Sequence, residues 1–290
     1  MRNLDQVTYE DVPQASGPVA RRATLAGMAG NGRGATILTT VVSLVAVVAI
    51  WWIWTVRSHV QSFVFPGPSA VARALWYGIS SPVSASNLLY QLGITTLAAI
   101  IGLLVGGALG IILGALAAQF KPAERLVMPY VFAIQTMPKI ALAPLIFTWF
   151  GFGAVPKEVL AGLLAFFPLV VNTYAGMNLV DRDSIDLFAS LRATRLEEMV
   201  KLRLPTALPL VFAGLEIAVV NALLGAVVAE FMAGQDGIGT TMIKLQSVSN
   251  TAGIFACLIV LAVAGVLLHS IVRVLRLKLV FWGPASHARE

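Results

Sequence analysis

Charge is what this sequence has least of. Only 12% of its 290 residues are Asp, Glu, Lys or Arg, against 58% hydrophobic. Soluble domains carry about 25% charged residues, so most of this chain must face lipid or other apolar helices. Cysteine is nearly absent too. Cys257 stands alone, which excludes an internal disulfide and any Cys-rich metal site. It lies in an apolar run and reads as core filler. His59, His269 and His287 are too dispersed to act as a ligand set, and no H-E-x-x-H occurs. There is no G-x-x-x-x-G-K-[ST] either, so the chain does not hold ATP through a P-loop. No Ser/His/Asp grouping stands out. Neither a metal centre nor an enzyme is expected.

What is abundant is long apolar runs. Six could each cross a bilayer, which takes roughly 20 residues: 35–56, 88–117, 126–150, 156–177, 207–233 and 252–275. Residues 1–34 are polar and without apolar periodicity, and read as a disordered cytoplasmic segment. The run 35–56 exceeds a signal-peptide core and no small-x-small cleavage site follows it, so a retained signal-anchor span is expected, with an outer loop to residue 64. Of the 20 basic residues, 15 lie at the two ends or in the loops on one side. By the positive-inside rule both termini and the loop 181–206 are then cytoplasmic. The net charge of +6 is therefore a topology signal, not a nucleic-acid footprint. Between the first two runs, FPGPSAVARALWYGISS reads as a short amphipathic segment on the outer surface, with Trp76 and Tyr77 at the interface.

Several features inside the runs bear on function. Gly102, Gly106, Gly110 and Gly114 recur every four residues, forming one smooth helix face for close backbone approach. That face could pack within the subunit or across a dimer. The third run is interrupted by Pro129, Pro138 and Pro144, with Lys139 about 13 residues in; at 1.5 Å per residue that is about 20 Å, past the midplane of a straight span. Broken helices are tolerated where they pack on protein or line a cavity, and an ionisable group there is a candidate for function. The alternative is a lysine snorkelling to the outer interface. Glu216 and Glu230 lie about 40° apart on the helix wheel, with Asn221 between them. They could line a pathway or pair with neighbouring helices; the interior reading is preferred for Glu216 and left open for Glu230. Pro138, Lys139, Pro144, Glu216, Asn221 and Glu230 are the translocation-pathway candidates.

The stretch Asp181–Pro209 holds ten of the 34 charged residues between two apolar runs. Thr194 and Glu197 form a capping box, and Ile185, Phe188, Leu191 before it and Leu196, Met199, Leu202 after it fall at helical spacing. Two short amphipathic helices with a tight turn at Arg192–Ala193 are predicted, with a new helix beginning at Pro205 and Pro209. The pattern alone is also compatible with a solvated loop.

This stretch resembles the signature of binding-protein-dependent ABC importer permeases: Glu-Ala-Ala, three residues, Gly, nine residues, then Ile-x-Leu-Pro. Asp186 falls at the acidic position, Arg192 at the glycine, and Leu202, Arg203, Leu204 and Pro205 at the end. Leu187 and Phe188 replace the alanines. Arg192 replaces a glycine that would relieve a left-handed turn, at a cost of about 1 kcal/mol if that geometry is kept. From about Phe65 onward, FPGPSAV, APLIFTWFGFG, LLAFFPLVVNTY, LPTALPLVFAGL and VVAEFMAGQDGIG are similar to permeases of the nitrate/sulfonate/taurine class. MPKIALAPL is closer to members that take up pyrimidine-type vitamin precursors.

The resemblance implies an all-α membrane protein with the type I ABC importer transmembrane fold, six transmembrane helices with both termini inside, and a permease core over 65–290. It implies a homodimer in the bacterial inner membrane, a cytoplasmic ATP-binding subunit dimer carrying ATP and Mg, and a periplasmic or lipid-anchored substrate-binding protein. No cofactor in this chain and no nucleic-acid partner are expected. Asp186, Ala189, Ser190, Leu191, Arg192, Ala193, Thr194, Arg195, Glu197, Leu204 and Pro205 would couple to the ATPase. Two other readings compete: an ion-gradient-driven secondary transporter using Lys139, Glu216 and Glu230, and a purely structural membrane subunit.

Overall fold

The computed structural model describes residues 34–57, 61, 63–84 and 86–282. The expectations for residues 1–33, and the tail beyond 282, lie outside the described residues. The chain divides after Trp54 into two units. The first contributes most of α1 (Gly34–Arg57), one uninterrupted helix long and apolar enough to cross a membrane.

The second unit is built from α2 (Pro68–Ser80), α3 (Leu88–Gln119), α4 (Lys121–Thr136), a 3₁₀ turn (Lys139–Leu142), α5 (Ala143–Phe150) and α6 (Ala154–Met177). Then follow α7 (Arg182–Ser190), α8 (Arg195–Glu198), a π-helical turn (Met199–Arg203), α9 (Leu204–Ala233), α10 (Ile238–Ser247) and α11 (Thr251–Leu279). No strand occurs among the described residues. Helix starts follow local chemistry. The Asn87 side chain accepts from the amides of Leu89 and Tyr90 to cap α3, and Asn250 accepts from Gly253 at the start of α11.

At the centre α3, α6 and α9 pack on one another through small residues. The glycine face of α3 lies against α6 of the same chain. A Cβ on Gly102 would come 2.5 Å from the Glu158 carbonyl oxygen, and one on Gly114 2.6 Å from that of Val170. Only hydrogen at these positions lets the two backbones touch, and such contact supplies packing energy where lipid supplies no hydrophobic drive. Ala161, Ala165, Ala218, Ala222 and Ala226 continue the seam into α9, all fully buried.

α2, α10 and the first half of α11 assemble around Leu88, Ile238, Met242 and Cys257. α2 is the amphipathic segment expected there: Val71 is buried while Trp76 and Tyr77 stay exposed. The helix α10, between the glycine-bearing turn 234–237 and α11, was not anticipated from sequence.

Two expectations need correction. Among the described residues five helices are each long and apolar enough to span, and the bent pair Lys121–Thr136 and Lys139–Phe150 passes the same test as a sixth when taken together. The sixth expected span, 126–150, is two limbs bent by 94° between Thr136 and Lys139. Pro138 is responsible: it drives Met137 out of the helical region to ψ 145°. Pro129 sits within α4 and Pro144 at the start of α5, and neither breaks the chain. The straight-span estimate of the depth of Lys139 therefore does not hold.

The second correction is at Pro205. α9 does begin beside it, at Leu204, but no gap precedes it and Pro209 lies inside the helix. Pro205 lacks an N–H and its ring crowds the preceding turn. The chain widens there into a π turn, where the Leu204 amide bonds the Met199 carbonyl, and remains helical from Arg195 to Met232.

Candidate functional site

The polar hinge is built by two back-to-back caps. α7 ends in a Schellman arrangement: the Ala193 amide donates to the Phe188 carbonyl and the Arg192 amide to that of Ala189, both at 3.0 Å. Such an end needs one residue at positive φ, and that residue is Arg192 at +53°. The turn geometry usual for glycine is thus kept with arginine in place. Two residues on, Thr194 caps the start of α8. Its hydroxyl accepts from the Glu197 amide at 3.3 Å, and its own amide donates to Glu197 Oε2 at 2.9 Å.

The helix from Arg195 to Met232 has 38 residues, about 57 Å at 1.5 Å per residue, well beyond the ~30 Å of a hydrocarbon core. Its first turns, through Arg203, carry five charges and lie outside the apolar stretch. There the Thr194 amide and the Lys201 ammonium pull the Glu197 carboxylate down to about 2, so it stays ionised. Arg203 Nε bonds Glu198 Oε1 at 2.7 Å, and Met199 packs towards Met177, Ala207 and Val211. The hinge is thereby continuous with the core.

The outer face of this hinge is apolar where it should be polar. Leu191 and Leu196 are 71% and 72% exposed, with Leu187 and Val200 beside them in sequence register. Asp186, Ala189, Ser190, Arg192, Thr194 and Arg195 are exposed as well, whereas Ala193, Glu197 and Pro205 are half-buried. Exposed leucines among charges mark a surface that meets another surface.

A second site lies at the break in the third span. Pro138 and Lys139, with Gln135, Asn172, Asn221 and Ile217, line a cavity of about 420 Å³ between α4, α6 and α9. Lys139 Nζ donates to the Gln135 backbone carbonyl at 3.1 Å and sits 4.9 Å from the centre of the Phe167 ring. Lys139 and Asn221, separated by 82 positions, are brought together; Pro144 lies beyond the break in α5.

Neither carboxylate candidate reaches this cavity. Glu216 pairs with Arg276 of α11 at 3.3 Å, so the interior reading preferred for it gives way to pairing with a neighbouring helix. Glu230 is buried against α3, α6 and the turn 234–239. Thr95 Oγ1 donates to both its oxygens at 2.9 Å, the Gly239 amide to Oε2 at 2.9 Å, and Lys157 Nζ lies 3.6 Å away. Lys157 also donates to the Asp236 carbonyl at 2.6 Å, and Gln91 Oε1 accepts from the Gly237 amide at 2.6 Å. Side chains from three helices thus saturate the turn that leads into α10, as a buried charge requires.

A family model described as "Binding-protein-dependent transport system inner membrane component" matches residues 106–280. The chain belongs to that family. Among relatives, a permease named for aliphatic sulfonates transport, SsuC of Bacillus subtilis, is 36% identical over 69% of this permease and 72% of its own length. The formylaminopyrimidine transport permease ThiX of Halalkalibacterium halodurans is 36% identical over 63% and 73%. The riboflavin transport system permease RibX of Chloroflexus aurantiacus is 31% identical over 76% and 81%. A chain of the solved structure titled "Inward facing conformations of the MetNI methionine ABC transporter" covers 71% of this chain and 96% of its own, at 18% identity and TM-score 0.49. The protein is thus a multi-pass membrane permease subunit of binding-protein-dependent ABC transport, helical through its described spans.

Sequence reasoning missed five residues of this permease. Gln91, Thr95 and Lys157 bind the Glu230 turn, and Gln135 and Asn172 line the Lys139 cavity. Each is a polar residue inside an apolar run, and that signal alone could have flagged them.

Proposed function

We propose that the hinge 182–205 of this permease docks into a groove on a separate cytoplasmic ATPase subunit and transmits its movements to the membrane helices. The observation that carries this reading is the exposed row Leu187, Leu191, Leu196 and Val200 on a hinge whose helix runs unbroken into α9. A surface of exposed leucines gains free energy only when covered. A rigid helical continuation means that displacing the cover displaces the span. ATP and Mg belong to the partner, which forms a dimer beneath two copies of this chain in the bacterial inner membrane. A periplasmic or lipid-anchored binding protein delivers the solute. Differential binding of the partner's nucleotide states to the two packings of the permease drives alternating access.

The solute is small and polar. The names of relatives offer three classes, a sulfonate-like anion, a pyrimidine-type heterocycle and a flavin, with Lys139 and Asn221 in its path. An ion-coupled carrier built on Glu216 and Glu230 is disfavoured, because both carboxylates are already engaged by Arg276 and Lys157.

The test is purification of the tagged chain from its native membrane with ATPase activity assayed on the eluate. An ATPase should co-purify, and should be lost on replacing Leu191 or Leu196 by Asp while the chain still inserts. Recovery of the chain without an ATPase, or retention of the partner by both variants, would refute the docking assignment.

A further inference from the structure

Four polar side chains converge on the cavity at the broken span: Gln135, Lys139, Asn172 and Asn221. Their free valences are unequal. Asn172 Nδ2 donates to the Pro168 carbonyl at 2.8 Å. A carbonyl can only accept, so this bond fixes the amide orientation and leaves Asn172 Oδ1 as the group with lone pairs to offer. The amides of Gln135 and Asn221 form no hydrogen bond among the described residues. Each presents a donor and an acceptor. Lys139 already gives one proton to the Gln135 carbonyl and lies over Phe167, and it can donate further. The remaining walls, Leu164 and Ile217 among them, are apolar.

We infer that this cavity is a solute station for a planar nitrogen heterocycle that carries both donor and acceptor groups on its edge, such as an aminopyrimidine. The inference rests on the permease reading above and deepens it. The ligand's ring nitrogens accept from Lys139 and from a carboxamide N–H. Its amino group donates to Asn172 Oδ1, and its apolar faces lie against Ile217 and Leu164. A volume of about 420 Å³ falls within the roughly 300–1,000 Å³ of small-molecule sites. An alkanesulfonate matches the cavity less well. Its three oxygens only accept, so the Asn172 oxygen would face an oxyanion, and unmatched buried acceptors are costly. Lys139 is the one cation of the lining, beside three uncharged carboxamides that each carry an acceptor.

The experiment uses the full chain with its co-purified ATPase in nanodiscs, carrying Ile217→Cys as reporter; Cys257 is fully buried and serves as the silent background. Labelling of the reporter by a charged methanethiosulfonate is timed with 4-aminopyrimidine, with ethanesulfonate, and with neither. Aminopyrimidine should slow labelling and ethanesulfonate at equal concentration should not. Asn172→Leu should weaken that protection about five- to tenfold, the worth of one neutral hydrogen bond. Protection by ethanesulfonate instead would overturn the ligand class. No protection by either, or no labelling at all, would overturn the site. The permease reading fails independently of these outcomes, by the absence of an ATPase in the purified sample before any reagent is added.

Discussion

Replacing Gly106 with alanine should separate the two central helices, and the size of the effect can be set against a graded series. A Cβ at Gly106 would fall on the Gly162 carbonyl group, with Gly162 Cα 2.6 Å away. Ordinary carbon contact is about 3.5 Å, so α3 and α6 must part by nearly 1 Å locally. The obstacle is backbone, and no rotamer change relieves it. Overpacking of this kind costs about 1–3 kcal/mol. At Gly93, on the same helix, a Cβ meets nothing within 4 Å, so alanine there should gain up to ~1 kcal/mol of helix propensity. Gly162→Ala is intermediate, with its nearest neighbour, the Gly102 carbonyl oxygen, at 3.0 Å. Thermal unfolding of the detergent-solubilised chain, followed by tryptophan fluorescence, should rank the variants Gly93→Ala above Gly162→Ala above Gly106→Ala. At about 2–4 °C per kcal/mol for a chain of this size, the extremes should differ by roughly 2–16 °C. A Gly106→Ala melting temperature equal to or above that of Gly93→Ala would refute the seam.

Lys157→Met should destabilise by about 3–5 kcal/mol, because it strands the buried Glu230 carboxylate. Adding Glu230→Gln should restore part of the loss, and limited proteolysis at 234–239 reports both; an undiminished loss in the double variant would show that the ion pair is not the coupling. Arg192→Gly should relieve about 1 kcal/mol of left-handed strain and slow hydrogen exchange of the Ala193 amide, which bonds Phe188. Faster exchange in that variant would mean that Arg192 holds the turn by contacts that outweigh its strain.

Much of this permease was legible because its signals are local. Span positions follow from apolar run lengths, and the hinge from a capping box four residues long plus an apolar spacing on either side. The strained turn at Arg192 was foreseeable from its place after α7, since the Schellman bonds involve residues at most five apart. Even the glycine face of α3 was visible as a four-residue repeat.

What was not legible depends on partners distant in sequence. Glu216 and Glu230 look equivalent on a helix wheel, yet one meets Arg276 across the surface of α11 while the other is enclosed by Thr95, Lys157 and the turn 234–239. Their fates were set by which helix lies alongside, and no property of α9 encodes that.

The sequence by itself therefore determined that the chain spans the membrane several times and carries a polar hinge, because composition, run length and capping are properties of contiguous residues, while its permease identity came from resemblance to the family. Tertiary structure alone decided three things: that the glycine face belongs to α6, that Pro138 rather than Pro129 or Pro144 breaks the third span, and that Lys139 opens on a cavity with Asn172 and Asn221. Each of these depends on where two backbones come within contact distance, and dispersion and hydrogen bonding act only at that range.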